Sequence, residues 1–171
     1  LHIIHIWIGA AYKKGQNGVL MLGDSSYERD TQLVEYLPTW INKKQRDATF
    51  SRIFNGFSGT TTARASIPER EAFWASIAFY NFVPGSVGPT RKFRPARADF
   101  EAAQGPLAVL LKQCKPAGVF ILGIEQARFS EPVVQSLSIP CVKTPHPASY
   151  GLRTQILTDA WNELRKKIHS H

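Results

Sequence analysis

The chain has 171 residues, of which 43% are hydrophobic and 20% are charged, a size and composition that favour one folded domain over 1–171 and exclude a disordered tail. Lys and Arg number 21 against 13 Asp and Glu, and the net charge of +8 favours a polyanionic partner, nucleic acid before an acidic membrane. The apolar stretch Leu1 to Ala11 is too short to span a membrane and is broken by two histidines. We therefore expect a cytoplasmic monomer that contacts no membrane.

Four short apolar runs have the length and the content of β-branched and aromatic residues that are typical of buried strands. They are Val19–Leu22, Ile77–Val83, Gly118–Leu122 and Ile139–Val142. Such runs, apolar on both faces, predict parallel strands that are covered on both sides.

Helical patterns lie between and after these runs. Pro68 to Ala75 opens with a proline followed by acids, which is typical of a helix N-terminus. Two apolar faces have helical spacing: Leu107, Leu110, Leu111 and Cys114, then Leu157, Ala160, Trp161, Leu164 and Ile168. The long connection Glu28 to Gly59 is predicted to be helical around Thr31 to Lys44, with Pro38 interrupting, and Pro84 to Pro95 is predicted to be a surface loop.

Alternating strands and helices predict right-handed crossovers, so the expected fold class is α/β, a three-layer αβα sandwich with a central, mainly parallel four-stranded sheet. Ligands bind beyond the carboxyl ends of such strands. The segments that follow the predicted strands, Gly23 to Tyr27, Asn81 to Gly85, Gly123 to Gln126 and Lys143 to Tyr150, should then converge on one crevice.

Two of these segments carry candidate chemistry. After its glycine, Gly23 to Tyr27 presents a carboxylate, two hydroxyls and an aromatic ring. Pro145 and Pro147 bracket His146 and restrict the backbone on each side of it, as suits an imidazole that must be held in place. A rigid loop with an incidental histidine is the alternative interpretation of the second segment.

Four motifs in chain order resemble the uracil-DNA glycosylase superfamily. They are Gly23-Asp24-Ser25-Ser26-Tyr27, a strand ending in an asparagine at Phe79-Tyr80-Asn81-Phe82-Val83, a strand ending in Leu122-Gly123, and His146-Pro147-Ala148-Ser149. Each motif is weak alone, and their order and spacing agree over residues 19 to 150. The asparagine stretch looks most similar to uncharacterised branches of the superfamily.

The resemblance implies hydrolysis of the N-glycosidic bond of an extruded deaminated base in DNA, with uracil as the default and with no cofactor or metal. It gives the catalytic roles to Asp24, which positions water or stabilises the sugar cation, and to His146, which stabilises the departing base. The implied substrate-binding residues are Gly23, Ser25, Tyr27, Asn81 and Ser149. Among these, the Asn81 amide offers both a donor and an acceptor to a pyrimidine.

Basic residues of the Pro84 to Pro95 loop and just after it are candidates for holding DNA phosphates during base extrusion. They are Arg91, Lys92, Arg94 and Arg97, and a solvated basic loop is the alternative. The ring that stacks on the base has three candidates, Phe50, Phe54 and Phe57, each also suited to a core position. Tyr150 and Leu152 are candidates for a wedge that holds the duplex open.

Two other functions stay open. Gly23-Asp24-Ser25 also resembles the nucleophile motif of GDSL-type ester hydrolases, in which Ser25 would attack and His146 would act as base, but Lys143 stands where that family has aspartate. The second is a non-catalytic nucleic-acid or nucleobase-binding protein on the same scaffold.

Overall fold

The computed structural model describes residues 6–25, 33–43, 47–85, 87–88 and 93–170, with the backbone alone at 33–36 and 43. The strands are β1 (Ile6–Ile8), β2 (Val19–Gly23), β3 (Ile77–Asn81), β4 (Gly118–Leu122) and β5 (Cys141–Thr144). The helices are α1 (Leu33–Lys43), α2 (Ala48–Phe57), α3 (Ile67–Ala75), α4 (Arg97–Cys114), α5 (Ile124–Ser136) and α6 (Thr154–His169).

The strands form one sheet in the order β1-β3-β2-β4-β5. Strands β2, β3, β4 and β5 run parallel to one another, whereas β1 pairs antiparallel with β3. The predicted α/β class is confirmed, and the sheet formed by the described residues has five strands where four were predicted. The additional strand, β1, is an edge strand within the apolar stretch Leu1 to Ala11, and its three residues are too few for the period of a strand to be recognised there.

All four predicted strands are present, and their bounds differ by one residue at the end of β2 and by two residues at the end of β3 and at both ends of β5. Strand β5 begins at Cys141 and not at Ile139, because Pro140 has no N–H to donate to the ladder. Strand β3 ends at Asn81, yet the pairing with the chain after β2 continues: the N–H of Phe82 donates to Gly23 O at 2.9 Å and that of Val83 to Asp24 O at 3.0 Å.

Two buried apolar clusters lie on the two faces of the sheet. On β2, Val19 and Met21 point to the first cluster and Leu20 and Leu22 to the second, as the two-residue period of a strand requires. Helices α1, α2, α3 and α6 contribute to the first cluster, and α4 and α5 contribute to the second. The apolar faces predicted for α4 and α6 are confirmed, since their residues belong to or pack against these clusters.

The connection between β2 and β3 differs from its prediction. Helix α1 runs through Pro38 without interruption, because Leu37, Trp40 and Ile41 bury beside it and offset the lost backbone hydrogen bond. Helix α2 was not predicted. It begins at the N-cap Asp47, whose carboxylate accepts from the N–H of Phe50 at 2.9 Å.

The routes of the chain out of the sheet indicate where a ligand crevice is expected. After β2 and β5 it passes to helices on the first face, and after β3 and β4 to helices on the second face. Neighbouring strands therefore send their following segments in opposite directions. In α/β sheets a ligand crevice opens at the carboxyl ends of such strands.

Candidate functional site

Gly23 and Asn81 lie side by side at the ends of β2 and β3, where they are register partners. A Cβ atom on Gly23 would stand 2.4 Å from the Asn81 Oδ1 and 2.9 Å from Cζ of Phe79. The space beside Gly23 is thus filled by the Asn81 amide. Glycine is required here by this close approach, and the amide is held at the crevice.

Asp24 follows directly and is a buried carboxylate, with 7% of the residue exposed. Its Oδ2 lies 4.0 Å from Nη1 of Arg94, and its Oδ1 is buried without a hydrogen-bond partner in the described part of the chain. Burial raises the pKa of Asp24 above its ordinary value, the Arg94 charge opposes the rise, and the Glu125 charge adds to it. The carboxylate is consequently a stronger base than one in water.

His146 lies in the loop after β5 and is partly buried. Its Nδ1 accepts a hydrogen bond from the N–H of Ala148 at 3.1 Å, so the proton of the neutral ring is on Nε2. Burial and then the Arg94 charge lower the pKa of His146 to about 4, while the Asp47 charge opposes the fall. At neutral pH the ring is therefore an uncharged donor.

Arg52 of α2 fixes the loop that carries His146. Its Nη1 donates to the carbonyl oxygen of Pro147 and, at 2.9 Å, to that of Ser149. The N–H of Ser149 in turn donates to the carbonyl oxygen of His146 at 2.8 Å. Sequence reasoning missed Arg52, because it lies in the connection to which no role was assigned and its partners are backbone atoms.

Gln126, in the first turn of α5, joins the ends of β2 and β4. It is fully buried, and its Nε2 donates to the carbonyl oxygens of Leu22 at 2.9 Å and Leu122 at 3.0 Å. Gly123 precedes α5 with φ of 147°, a conformation that L side chains rarely adopt, and a Cβ there would lie 3.2 Å from the Gln126 Cγ. Gln126 was recognised as part of a converging segment, but its bridging role was not predicted.

Several buried oxygen atoms at this end of the sheet have no hydrogen-bond partner within the described residues. They are Asp24 Oδ1, Ser25 Oγ, Gln126 Oε1 and Thr144 Oγ1. Buried polar groups are normally paired, so these oxygens, which belong to residues at or soon after the ends of β2, β4 and β5, are candidates for hydrogen bonds with a polar ligand. A separate cavity of about 220 Å³, bordered by Trp7, Pro38 and Glu71, is lined mainly by apolar surface and contains none of these atoms.

The predicted site residues are partly brought together. Asp24 and His146 both lie within the electrostatic reach of Arg94, and Asn81 contacts Gly23, which adjoins Asp24. Ser149 contributes its backbone to the His146 loop. Tyr27, Arg91 and Lys92 lie outside the described residues.

The two predicted phosphate-binding residues that are described differ in their surroundings. Arg94 turns towards the Asp24 carboxylate. Arg97 is exposed on α4 and makes an ion pair with Glu101, with 2.7 Å between Nε and Oε1. Neither contact tests the predicted binding of DNA.

The proposed stacking rings have structural positions. Phe50 and Phe54 are buried in the first cluster, and Phe57 packs against Phe120 and Trp161 with ring centroids 4.8 and 5.0 Å apart. Leu152 also packs against this cluster, whereas Tyr150 is fully exposed. Of the two wedge candidates, Tyr150 is therefore the one whose side chain is open to solvent.

In comparisons with known proteins, the chain matches no family model and no curated protein. The resemblance to the uracil-DNA glycosylase superfamily therefore stays a prediction that depends on the four motifs. Within the described ranges, no helix is long and apolar enough to cross a membrane. The same ranges contain no group of three or more His, Cys, Asp or Glu side chains placed to hold a metal ion.

Proposed function

We propose that this chain is a DNA glycosylase that hydrolyses the N-glycosidic bond of a flipped deaminated base, uracil first, on a three-layer αβα fold. The observation that carries the proposal is that two groups with different electrostatic surroundings follow the ends of β2 and β5, and that the charge of Arg94 acts on both. Asp24 is a buried carboxylate of raised pKa, and His146 is a neutral imidazole. A reaction that leaves a sugar cation and a base anion needs one group of each kind.

In the proposed reaction, water attacks C1′ of the deoxyribose as the bond from C1′ to the base nitrogen breaks. The bonding electrons leave with the base, and the Asp24 carboxylate stabilises the positive sugar and accepts the proton of the water. The Nε2–H of His146 donates a hydrogen bond to the oxygen of the departing base. Since this ring carries no charge at neutral pH, it can stabilise the base anion without first losing a proton.

Asn81 supplies the base recognition in this proposal. Its amide presents a carbonyl acceptor and an N–H donor, which match the ring N–H and the carbonyl of uracil. Gly23 allows that amide to lie over the end of β2, since any side chain at this position would displace it. A site that hydrogen-bonds a substrate in this way discriminates strongly against bases with the reverse pattern.

DNA is proposed as the polymer that carries the base. The net charge of +8 favours a polyanion. Exposed apolar side chains follow the strand ends that border the crevice: Ile124 after β4 and Tyr150 after β5, with 45% and 106% of the residue exposed. Phe93, beside Arg94, is 48% exposed. Such groups are suited to stacking on bases next to an extruded nucleotide.

The esterase alternative has less support from the geometry. A serine hydrolase requires its histidine Nδ1–H to donate to a carboxylate. Here the Nδ1 of His146 accepts from a backbone N–H, and the Lys143 ammonium pairs with Glu131 at 2.5 Å. A fluorophosphonate probe that labelled Ser25 would support the hydrolase and count against the glycosylase.

The test is an alkaline cleavage assay on oligonucleotides that carry uracil, hypoxanthine or xanthine. Wild type should produce abasic sites in at least one of them, and both Asp24→Asn and His146→Gln should slow the reaction by about 100-fold or more. Asp159→Asn and His169→Gln, exposed residues of α6, are matched controls that should react as wild type does. Cleavage at the wild-type rate in both site variants would refute the assigned roles, and DNA binding without abasic sites would favour the non-catalytic binding protein.

A further inference from the structure

Arg94 makes an ion pair with Asp24 that is both loose and asymmetric. The closest nitrogen-to-oxygen distance is 4.0 Å, longer than the roughly 2.7–2.9 Å of a direct charge-assisted hydrogen bond. The Arg94 side chain is 62% exposed, whereas that of Asp24 is 9% exposed. The arginine side chain is therefore accessible to a ligand from solvent, whereas the carboxylate is buried and its backbone is paired with Val83.

Arg94 is a cation whose charge acts on both proposed catalytic groups. Glu125, at the start of α5, acts on Asp24, and Asp47, at the start of α2, acts on His146. Arg94 also follows Phe93, which is 48% exposed. A strand bound at these two residues would bring its phosphates close to the guanidinium.

We propose that Arg94 is an exchangeable counter-ion, which pairs with Asp24 in the empty site and moves to a phosphodiester of the bound DNA strand. The proposal rests on the proposed function only in taking DNA as the ligand, and it requires no cleavage. A guanidinium suits both partners, because its fork of N–H donors matches carboxylate and phosphate oxygens alike. Binding of the strand then frees the carboxylate to face the sugar.

Because Arg94 moves from one partner to the other, the DNA phosphate and the Asp24 carboxylate compete for it. The coupling between the two partners of Arg94 is reciprocal. If phosphate binding weakens the ion pair by a given factor, removing the carboxylate charge must strengthen phosphate binding by the same factor. An ion pair with one mostly exposed partner has a coupling that corresponds to about two- to fivefold in affinity. This coupling must disappear when Arg94 is replaced.

The experiment is a double-mutant cycle in DNA affinity, measured by fluorescence anisotropy. The probe is a short labelled single-stranded oligonucleotide with one tetrahydrofuran abasic analogue, so no base can be released. The proteins are wild type, Asp24→Asn, Arg94→Gln and the double variant. We expect Asp24→Asn to bind about two- to fivefold more tightly than wild type, Arg94→Gln to bind more weakly, and Asp24→Asn to have no effect in the Arg94→Gln background.

Two controls separate exchange from a general change of charge. Glu125→Gln removes a second carboxylate, whose charge also acts on Asp24, so its effect on affinity should be equal in both backgrounds. A probe with uncharged methylphosphonate linkages beside the abasic analogue should make Arg94→Gln silent, and Arg94→Lys should retain part of the affinity. Tightening by Asp24→Asn that persists without Arg94 would overturn the proposal. Failure of the cleavage assay alone would overturn the proposed function and leave this exchange standing.

Discussion

The neutral state of His146 can be tested through the stability of the fold. Its pKa is about 4 in the folded chain against 6.5 for an unperturbed histidine, because burial and Arg94 disfavour the imidazolium. Each pKa unit corresponds to about 1.4 kcal/mol, so acidification from pH 7 to pH 4 should remove about 3 kcal/mol of unfolding free energy through this one group. His146→Gln, which cannot take up the proton, should lack that loss.

The sign follows from proton uptake. The unfolded chain binds the His146 proton more readily than the folded chain does, so the contribution is fully present above pH 6.5 and is lost as pH falls towards 4. Asp24 acts in the opposite direction. Its raised pKa makes the folded chain take up a proton above pH 3.8, which offsets part of the loss in wild type and in the His146→Gln variant alike.

The assay is urea unfolding of wild type and His146→Gln at pH 7 and pH 4. The stability of the variant relative to wild type should improve by about 3 kcal/mol between the two conditions. An NMR titration of the imidazole, assigned by comparison with the variant, should give a midpoint near pH 4. A midpoint near 6.5, or equal pH dependence of the two proteins, would refute the argument that burial and Arg94 lower the pKa of His146.

Three further changes test the supports of the site. Arg52→Ala removes two hydrogen bonds from a charged donor to the loop after β5, so we expect a loss of about 2 kcal/mol in urea unfolding and a lower kcat. Gly23→Ala places a Cβ 2.4 Å from the Asn81 Oδ1 and should reduce kcat/KM for a deaminated base by at least about tenfold. Gly56→Ala places a Cβ 2.7 Å from that of Leu157. This clash should push α2 away from α6 and lower the free energy of unfolding by about 1–3 kcal/mol.

Controls and contradictory outcomes differ among these three. Ser51→Ala, on the same helix as Arg52, should change stability by no more than about 0.5 kcal/mol. Wild-type activity in Gly23→Ala would mean that the amide beside it takes no part in base recognition. A stabilised Gly56→Ala variant, in which helix propensity outweighed the close approach, would show that α2 and α6 can separate freely.

The parallel part of the sheet was predictable because its strands are buried on both faces and form continuous apolar runs. Strand β1 was not, since three apolar residues inside the stretch Leu1 to Ala11 are too few to distinguish a strand from a helix by periodicity. Helix α1 was expected to break at Pro38, but burial of Trp40 and its neighbours outweighs the missing hydrogen bond. Local sequence rules failed where the free energy of tertiary packing exceeds that of local backbone preference.

The positions of the site residues could be predicted from the sequence, but the hydrogen bonds that hold the site together could not. Asp24, Asn81 and His146 lie at or after the carboxyl ends of parallel strands, so the topology alone placed them at the same end of the sheet. The supports of the site, Arg52 and Gln126, bond to backbone carbonyls, which any sequence supplies and no motif marks.

The central claim is that Asp24, Asn81 and His146 contact the same ligand. Its most direct measurement is an NMR titration of ¹⁵N-labelled Asp24→Asn protein with a uracil-containing oligonucleotide, following the Asn81 side-chain amide and the His146 imidazole. Both signals should shift with a single dissociation constant, and a matched cytosine oligonucleotide, whose base has the reverse donor and acceptor pattern, should move them less. Signals that shift with different midpoints, or an imidazole that stays unmoved while the amide responds, would mean that these side chains face different ligands.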